Sequence, residues 1–177
     1  SEEDEIRKLL EKNEKSTEDV ERENERLNDE NRKSTEDVKR EIDRLLKELR
    51  EVLDEARKKG AVDEDLDRRV KKIEEDIKRR KDELRKRNEE SLERNKRKLD
   101  DLRRRNEESK RRIEDLKDRV RLDEIRKTVE EDDKRLKDAL ERSKREVDDD
   151  NRRLKKVLDE IRKTVRTMIE EIKKAEK

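Results

Sequence analysis

The side chains of this sequence that could carry chemistry are carboxylates, lysines and hydroxyls, because it contains no His, Cys or Tyr. General acid–base catalysis most often uses His, and a nucleophilic Ser needs an adjacent base. Neighbouring carboxylates occur at Asp132-Asp133 and at 148–150, where a shared proton could in principle support acid–base catalysis. No apolar pocket is expected around them, so most of them are expected to be solvated on a charged helix surface. The sequence therefore predicts no enzymatic activity and no catalytic residue.

The acidic run at 148–150 is also the best candidate for metal binding. An EF-hand needs alternating oxygen ligands and a Gly turn, whereas consecutive residues of a helix point about 100° apart. Weak surface binding of a divalent cation is the most that this run supports. The sequence has no Gly-rich phosphate loop. Met168 lies at helical spacing from Val165 and Ile172, which is typical of a core residue rather than of a ligand. We expect no metal ion and no cofactor.

The composition predicts long helices. Of the 177 residues, 65% are charged and 24% are hydrophobic, with one Gly and no Pro or aromatic residue. Glu, Lys and Arg favour helix, and the 58 basic and 57 acidic residues nearly cancel, whereas disordered chains usually carry a large net charge. No apolar run exceeds two residues, so we expect a water-soluble chain without a membrane span or secretory signal. No targeting signal indicates a compartment.

Gly60 marks the first turn. Basic residues precede it and acidic residues follow from Asp63, as expected for a helix that ends at a C′ glycine before another that begins at an Asp N-cap. Ser1 could cap the first helix, with Asp4 three residues later. We therefore predict helix 1 over about 2–59 and the start of helix 2 at about 63.

The second turn is predicted from a change in helical phase. Apolar residues at spacings of three and four form one stripe over 6–53 and another over 66–120, but Leu122, Ile125 and Val129 are displaced from the second stripe. The displacement is about two residues, or roughly 200° around a helix. We therefore predict helix 2 over about 63–118, a turn around 118–122, and helix 3 over about 123–176 with Asp123 as N-cap. The alternative is one helix of more than a hundred residues that contacts partners on two faces.

Repeated segments suggest the geometry of the helices. KSTEDV at 15–20 recurs at 33–38, RNEES at 87–91 recurs at 105–109, and LDEIRKTV at 122–129 recurs at 158–165. The first two shifts are eighteen residues and the third is twice that. Eighteen residues make five turns of an unstrained α-helix, whereas a heptad repeat imposes a supercoil. We predict nearly straight helices with an 18-residue geometric repeat. STED at 16–19 and 34–37 could instead cap new helices, but the stripe continues through both.

The expected fold is all-α: one domain, residues 1–177, in which three antiparallel helices run up, down and up. If the turns lie as predicted, two residues at the same height along the bundle have residue numbers that sum to about 122 when they lie on helices 1 and 2, and to about 242 when they lie on helices 2 and 3. For residues on helices 1 and 3, the residue numbers differ by about 120. Polar residues of the stripes then face one another. The predicted polar core comprises Asn13, Asn24, Asn31, Asn88, Ser91, Asn95, Asn106, Ser109, Asp132, Ser143 and Asn151. Alternatively, these residues face water along an open groove.

Charge also favours packing of the helices against one another. Residues 1–59 carry a net charge of −5, residues 61–121 one of +5 and residues 122–177 one of +1. A basic middle helix suits an acidic neighbour. Acidic residues interleave with the basic ones and no aromatic side chain could stack on a base, so nucleic-acid binding is not expected. The helices are too polar for membrane binding.

The repeated octapeptide, the 18-residue geometry and the surface of Glu, Lys, Arg and Asp resemble computationally designed single-chain helical bundles, over the whole chain. The resemblance implies hydrogen-bonded polar layers in the core, no evolved substrate, cofactor or cellular address, and recombinant production in the cytoplasm. Spectrin-like repeats share the three-helix plan but use aromatic core residues.

The function that follows is a structural scaffold that needs no partner. A monomer is expected, and a homodimer is possible. The alternative is a protein–protein interaction module, such as a component of a designed heteromer, a switch cage or a self-associating coiled-coil bundle.

Overall fold

The structure, a computed structural model, describes residues 1–116 and 121–177 and contains three long helices. They are α1 (Glu2–Lys58), α2 (Glu64–Leu116) and α3 (Leu122–Ala175). Contacts join all three helices, so the predicted all-α three-helix bundle is confirmed. The predicted end of helix 2 at 118 and the part of the second turn at 118–120 lie outside the described residues.

The chain leaves α1 through a Schellman motif at Gly60. The Ala61 amide donates to the Ala56 carbonyl at 3.0 Å, and the Gly60 amide donates to the Arg57 carbonyl at 3.0 Å. Gly60 has a φ of 67°, a left-handed conformation that a side chain makes costly. The prediction of a helix end at this glycine is confirmed.

Side chains cap the first two helices as predicted. Asp63 Oδ1 accepts a hydrogen bond from the Leu66 amide at 2.7 Å, and Ser1 Oγ accepts one from the Asp4 amide at 3.3 Å. Across the turn, a hydrogen bond from the Arg57 guanidinium is the main reason that the pKa of Asp67 is lowered. Each cap satisfies an amide that the helix itself leaves without an acceptor.

The predicted N-cap of helix 3 at Asp123 is wrong. The helix begins at Leu122, and the Arg121 carbonyl accepts from the amides of Glu124 at 3.0 Å and Ile125 at 3.4 Å. Asp123 therefore lies in the first turn, where its negative charge favours the positive end of the helix dipole. The backbone selected the earlier start, which a search for capping side chains could not detect.

Two alternative helix assignments are excluded. α1 continues through Ser16 and Ser34, so STED caps no new helix. Ser143 of α3 donates a hydrogen bond to Asn95 of α2, which requires the two helices to lie side by side. A single helix running through both segments is therefore ruled out.

The helices pack as two compact units, and each is described separately. Unit 1 comprises 1–30 and 90–148, and unit 2 comprises 31–89 and 149–177. The organisation of 1–177 as a single domain stays a prediction. Among the described residues, no helix carries an apolar stretch sufficient to cross a membrane.

Unit 2 has an apolar core of sixteen buried residues. They are Ile42, Leu45, Leu46, Leu49, Leu53, Ala56, Leu66, Val70, Ile77, Leu84, Leu154, Leu158, Ile161, Val165, Met168 and Ile172. Met168 is thus a core residue, as its spacing predicted. Burial on this scale makes hydrophobic packing the main stabilisation of unit 2.

The ion pairs of unit 2 give its helix register. The pairs that join neighbouring helices include Asp43 with Lys81, Arg69 with Glu171, and Glu41 with Arg162. The residue numbers of the first two pairs add to 124 and 240, and those of the third differ by 121. These values lie close to the predicted 122, 242 and 120, as expected for antiparallel neighbours.

Unit 1 has a mixed core. In its described part, eight apolar residues are buried: Val20, Leu27, Leu99, Ile113, Ile125, Val129, Leu136 and Val147. Only Ile113, Ile125 and Val129 form an apolar cluster among these eight. The side chains of the remaining interior positions are largely polar, and they form the candidate site.

Candidate functional site

Most of the predicted polar core residues are buried. Eight of the eleven are buried: Asn13, Asn24, Asn31, Ser91, Asn95, Asn106, Asp132 and Ser143. The other three, Asn88, Ser109 and Asn151, are half-buried. Residues of this kind are mostly exposed in proteins, so their burial requires hydrogen bonds to offset the loss of water.

In unit 1, one group of these residues, here called layer A, comprises Asn13, Thr17, Asn106, Ser109, Asp132 and Asp133. Asn13 Nδ2 donates to Asp133 Oδ1 at 3.1 Å, which joins α1 to α3. Asn106 Nδ2 donates to Thr17 Oγ1 at 3.0 Å, which joins α2 to α1. The Thr17 hydroxyl in turn donates to the Asn13 carbonyl at 2.9 Å. The polar core prediction omitted Thr17, although it lies four residues after Asn13 on the same helix face.

Asp132 brings a carboxylate into layer A. It accepts a hydrogen bond from Ser109 Oγ at 3.2 Å and lies 3.5 Å from the Arg135 guanidinium. Burial raises the pKa of Asp132, the hydrogen bond from Ser109 and the charge of Arg135 oppose that shift, and neighbouring acidic residues add to it. Asp132, a residue of the predicted polar core, is only 6% exposed, and Asp133 is half-buried. This pair is an exception to the expectation that most neighbouring carboxylates are solvated.

A second group in unit 1, here called layer B, comprises Asn24, Asn28, Asn95 and Ser143. Ser143 Oγ donates to Asn95 Oδ1 at 3.1 Å, and Asn95 Nδ2 donates to Asn28 Oδ1 at 2.6 Å. One amide of α2 thus contacts both other helices. The expected partner of Asn95 on α1 was Asn24, which is buried, but the acceptor is Asn28, one turn later.

In unit 2, layer C comprises Asn31, Thr35, Asn88, Asp150 and Asn151. Asn31 and Thr35 repeat Asn13 and Thr17 one repeat length later in the sequence. The Thr35 hydroxyl again donates to the carbonyl four residues earlier, at 2.9 Å. The same shift relates Asn88 to Asn106. Repeating residues therefore adopt repeating local hydrogen bonds.

Three amide oxygens of layers A and C are buried without a hydrogen-bond partner in the described part of the chain. They are the Oδ1 atoms of Asn88, Asn106 and Asn151. Asn88 and Asn106 occupy equivalent positions of the repeat, so the same acceptor is left over in both units. A buried acceptor without a donor costs about 1–3 kcal/mol, which makes these atoms candidates for binding a donor from outside the chain.

The acidic run at 148–150 does not form a metal site in the structure. Within residues 1–116 and 121–177, no group of three or more acidic, His or Cys side chains is arranged to hold a metal ion. Asp148 and Asp149 are exposed, and Asp150 lies 3.9 Å from the Arg153 guanidinium.

A groove between α2 and α3 crosses the surface of unit 1. It encloses about 610 Å³, with Leu102 and Ala139 among its lining residues. Basic and acidic side chains both line it, among them Lys98, which pairs with Glu146 at 2.5 Å. The groove therefore presents a small apolar strip rather than a field of one sign.

The chemistry available to layers A, B and C is hydrogen bonding between helices. In the described part of the chain, Asp132 is the one titratable residue that is buried with the core. The remaining buried polar groups are amides and hydroxyls, which do not titrate near neutral pH. No protein-family model, no curated protein and no solved structure matches the chain.

Proposed function

We propose that this chain is a structural scaffold of the computationally designed type, in which the polar layers form a hydrogen-bond network that selects the helix register. In this role it catalyses no reaction and carries no cofactor. The observation that carries the proposal is the contact of Asn95 with both Asn28 and Ser143, because one buried amide then specifies the position of all three helices in unit 1.

The sequence repeat explains why such a layer is needed. A slip of one helix by one repeat length keeps the same face buried and exchanges layer A for layer C, whose residues are nearly identical. Layer B has no equivalent polar group one repeat length away in the sequence. The positions eighteen residues from Asn24, Asn28, Asn95 and Ser143 are apolar, and they are, in the same order, Ile42, Leu46, Ile77 and Ile161. All four of these apolar residues are buried in the core of unit 2.

Layer B therefore makes the slipped pairing costly. In that pairing its amides and hydroxyl would meet apolar side chains, and each unpaired buried group costs about 1–3 kcal/mol. A polar residue placed once in an otherwise regular core is a known means of fixing register at some cost in stability.

The test is a variant that gives layer B the residues of its apolar counterparts: Asn24→Ile, Asn28→Leu, Asn95→Ile and Ser143→Ile. Its stability should stay level or rise, because three buried polar groups and the half-buried Asn28 amide are removed with their desolvation cost. Register should become less specific. Light scattering after size-exclusion chromatography should give 21.8 kDa for the native chain and a mixture with larger species for the variant.

A cross-link reports the register directly. Lys47 and Lys78 are exposed on neighbouring helices and line one surface groove of unit 2. With both changed to Cys, a short bifunctional maleimide should join them within one native chain, and a slip by one repeat length would separate them by about 27 Å. The matched control is Thr17→Val with Asn106→Leu, which removes one interhelical hydrogen bond of layer A but retains layer B and should stay monomeric. A layer B variant that remains a monomer with native cross-linking would refute a role in register.

The second candidate is a protein–protein interaction module, favoured by the apolar strip of Leu102 and Ala139 in the groove of unit 1. A heteromer component, a switch cage or a self-associating bundle could place a further helix there. A self-associating bundle should form stable dimers of the native chain, and Leu102→Glu should dissociate them, whereas a heteromer component or switch cage should stay a monomer until a partner helix is added. A native monomer at all concentrations argues against self-association.

A further inference from the structure

Unit 2 contains a small cavity beside layer C. Its volume is about 20 Å³, and it is lined by Asn31, Thr35, Leu84, Arg87, Asn88, Asp150, Arg153 and Leu154. One water molecule needs roughly 10–15 Å³ of such volume, so the cavity has room for one water. Empty cavities in proteins are apolar, whereas this lining includes amide, hydroxyl, carboxylate and guanidinium groups.

Asn88 supplies an acceptor for that water. Its Oδ1 atom is buried and has no donor within the described part of the chain. The Thr35 hydroxyl, which also lines the cavity, uses its proton on the Asn31 carbonyl at 2.9 Å, and its oxygen retains lone pairs that can accept.

At the equivalent position of the repeat in unit 1, a direct hydrogen bond stands where unit 2 has the cavity. There, Asn106 Nδ2 donates directly to Thr17 Oγ1 at 3.0 Å. In unit 2 both Asn88 and Thr35 line a space of water size instead. A bridging molecule that donates to each oxygen would restore the connection between α1 and α2.

We propose that layer C binds one structural water, which donates one hydrogen to Asn88 Oδ1 and the other to Thr35 Oγ1. A guanidinium on the cavity rim, from Arg87 or Arg153, donates to the water oxygen. The water then makes about three hydrogen bonds, the usual number for a buried site. This inference rests on the cavity and its acceptors and does not depend on the scaffold role.

Water–protein cross-relaxation in NMR tests the proposal on the full chain. Leu84 and Leu154 line the cavity, whereas Ile161 is fully buried in the apolar core and serves as an internal control. A long-lived water should give NOE cross-peaks to the two leucine methyl groups and none to Ile161. Asn88→Gln extends the amide by one methylene into the cavity and should displace the water, so these cross-peaks should disappear.

Two further comparisons keep the result unambiguous. Exchange of the Thr35 hydroxyl proton could relay magnetisation from solvent, but that signal would persist in Asn88→Gln, which keeps Thr35. If this variant disturbs the fold, the near-isosteric Thr35→Val removes one acceptor instead and should weaken the cross-peaks. Absence of cross-peaks in the native chain, or unchanged cross-peaks in a folded Asn88→Gln variant, would overturn the proposal.

Discussion

The hydrogen bond between Ser143 and Asn95 allows the contribution of a buried polar pair to be measured. Ser143 Oγ donates to Asn95 Oδ1 at 3.1 Å, and each residue is only 5% exposed. Asn95→Leu and Ser143→Ala each remove one partner and leave the other buried without it. The double variant removes both groups, so the free energies of unfolding of the two single variants should not add.

The expected coupling energy is about 1–3 kcal/mol. Couplings within one hydrogen-bond network reach about 3 kcal/mol, and one unpaired buried amide or hydroxyl costs about 1–3 kcal/mol. Each single variant leaves one group of the Ser143–Asn95 pair unpaired, whereas the double variant leaves neither. The gain from burying a Leu side chain occurs both with and without Ser143, so it cancels in the cycle. The double variant should therefore be more stable than the sum of the single changes predicts.

Urea unfolding followed by far-ultraviolet circular dichroism measures the cycle, since the chain has no aromatic residue to report by fluorescence. Asn95→Leu paired with Thr17→Val is the control. Thr17 lies eleven residues along α1 from Asn28, the α1 partner of Asn95, or about 16 Å, so these two changes should add within about 0.5 kcal/mol. A Ser143–Asn95 coupling below about 0.5 kcal/mol would refute the argument, because it would mean that relaxation or water satisfies the group left behind.

Three further outcomes are expected. Amide hydrogen exchange should be slower in unit 2, with sixteen buried apolar residues, than in unit 1, with eight in its described part, and equal protection would contradict this. Because burial raises the pKa of Asp132, the contribution of Asp132 to stability falls as the pH rises through that pKa. Asp132→Asn should therefore be more stable than the native chain at neutral pH. Urea unfolding midpoints should show that this difference shrinks in acid. Gly60→Ala should lower the unfolding free energy by about 1–2 kcal/mol, and Gly60→Asn should lower it less. A Cβ at this position meets no atom within 4 Å, so only the left-handed φ is costly. Equal stability of both variants and the native chain would show that the turn relaxes.

Features that depend on the local chain were predictable from sequence. The stripes and the helix-forming composition predicted three helices, and Gly60 with Asp63 located the first turn to the residue. The register followed from the turns, because every α-helix rises by the same distance, about 1.5 Å, with each residue. The numbers of the hydrogen-bonded pair Thr17 and Asn106 add to 123, one more than predicted, and those of Ser143 and Asn95 add to 238, four fewer than predicted.

Only the tertiary structure decided which polar atoms meet. Asn95 bonds Asn28 rather than Asn24, and Asn88 faces a cavity where Asn106 reaches Thr17 directly. The periodicity of a sequence assigns a residue to a helix face to within a turn. A hydrogen bond, however, is made or lost over a few tenths of an ångström, and that distance depends on side-chain rotamers and on how closely three helices approach.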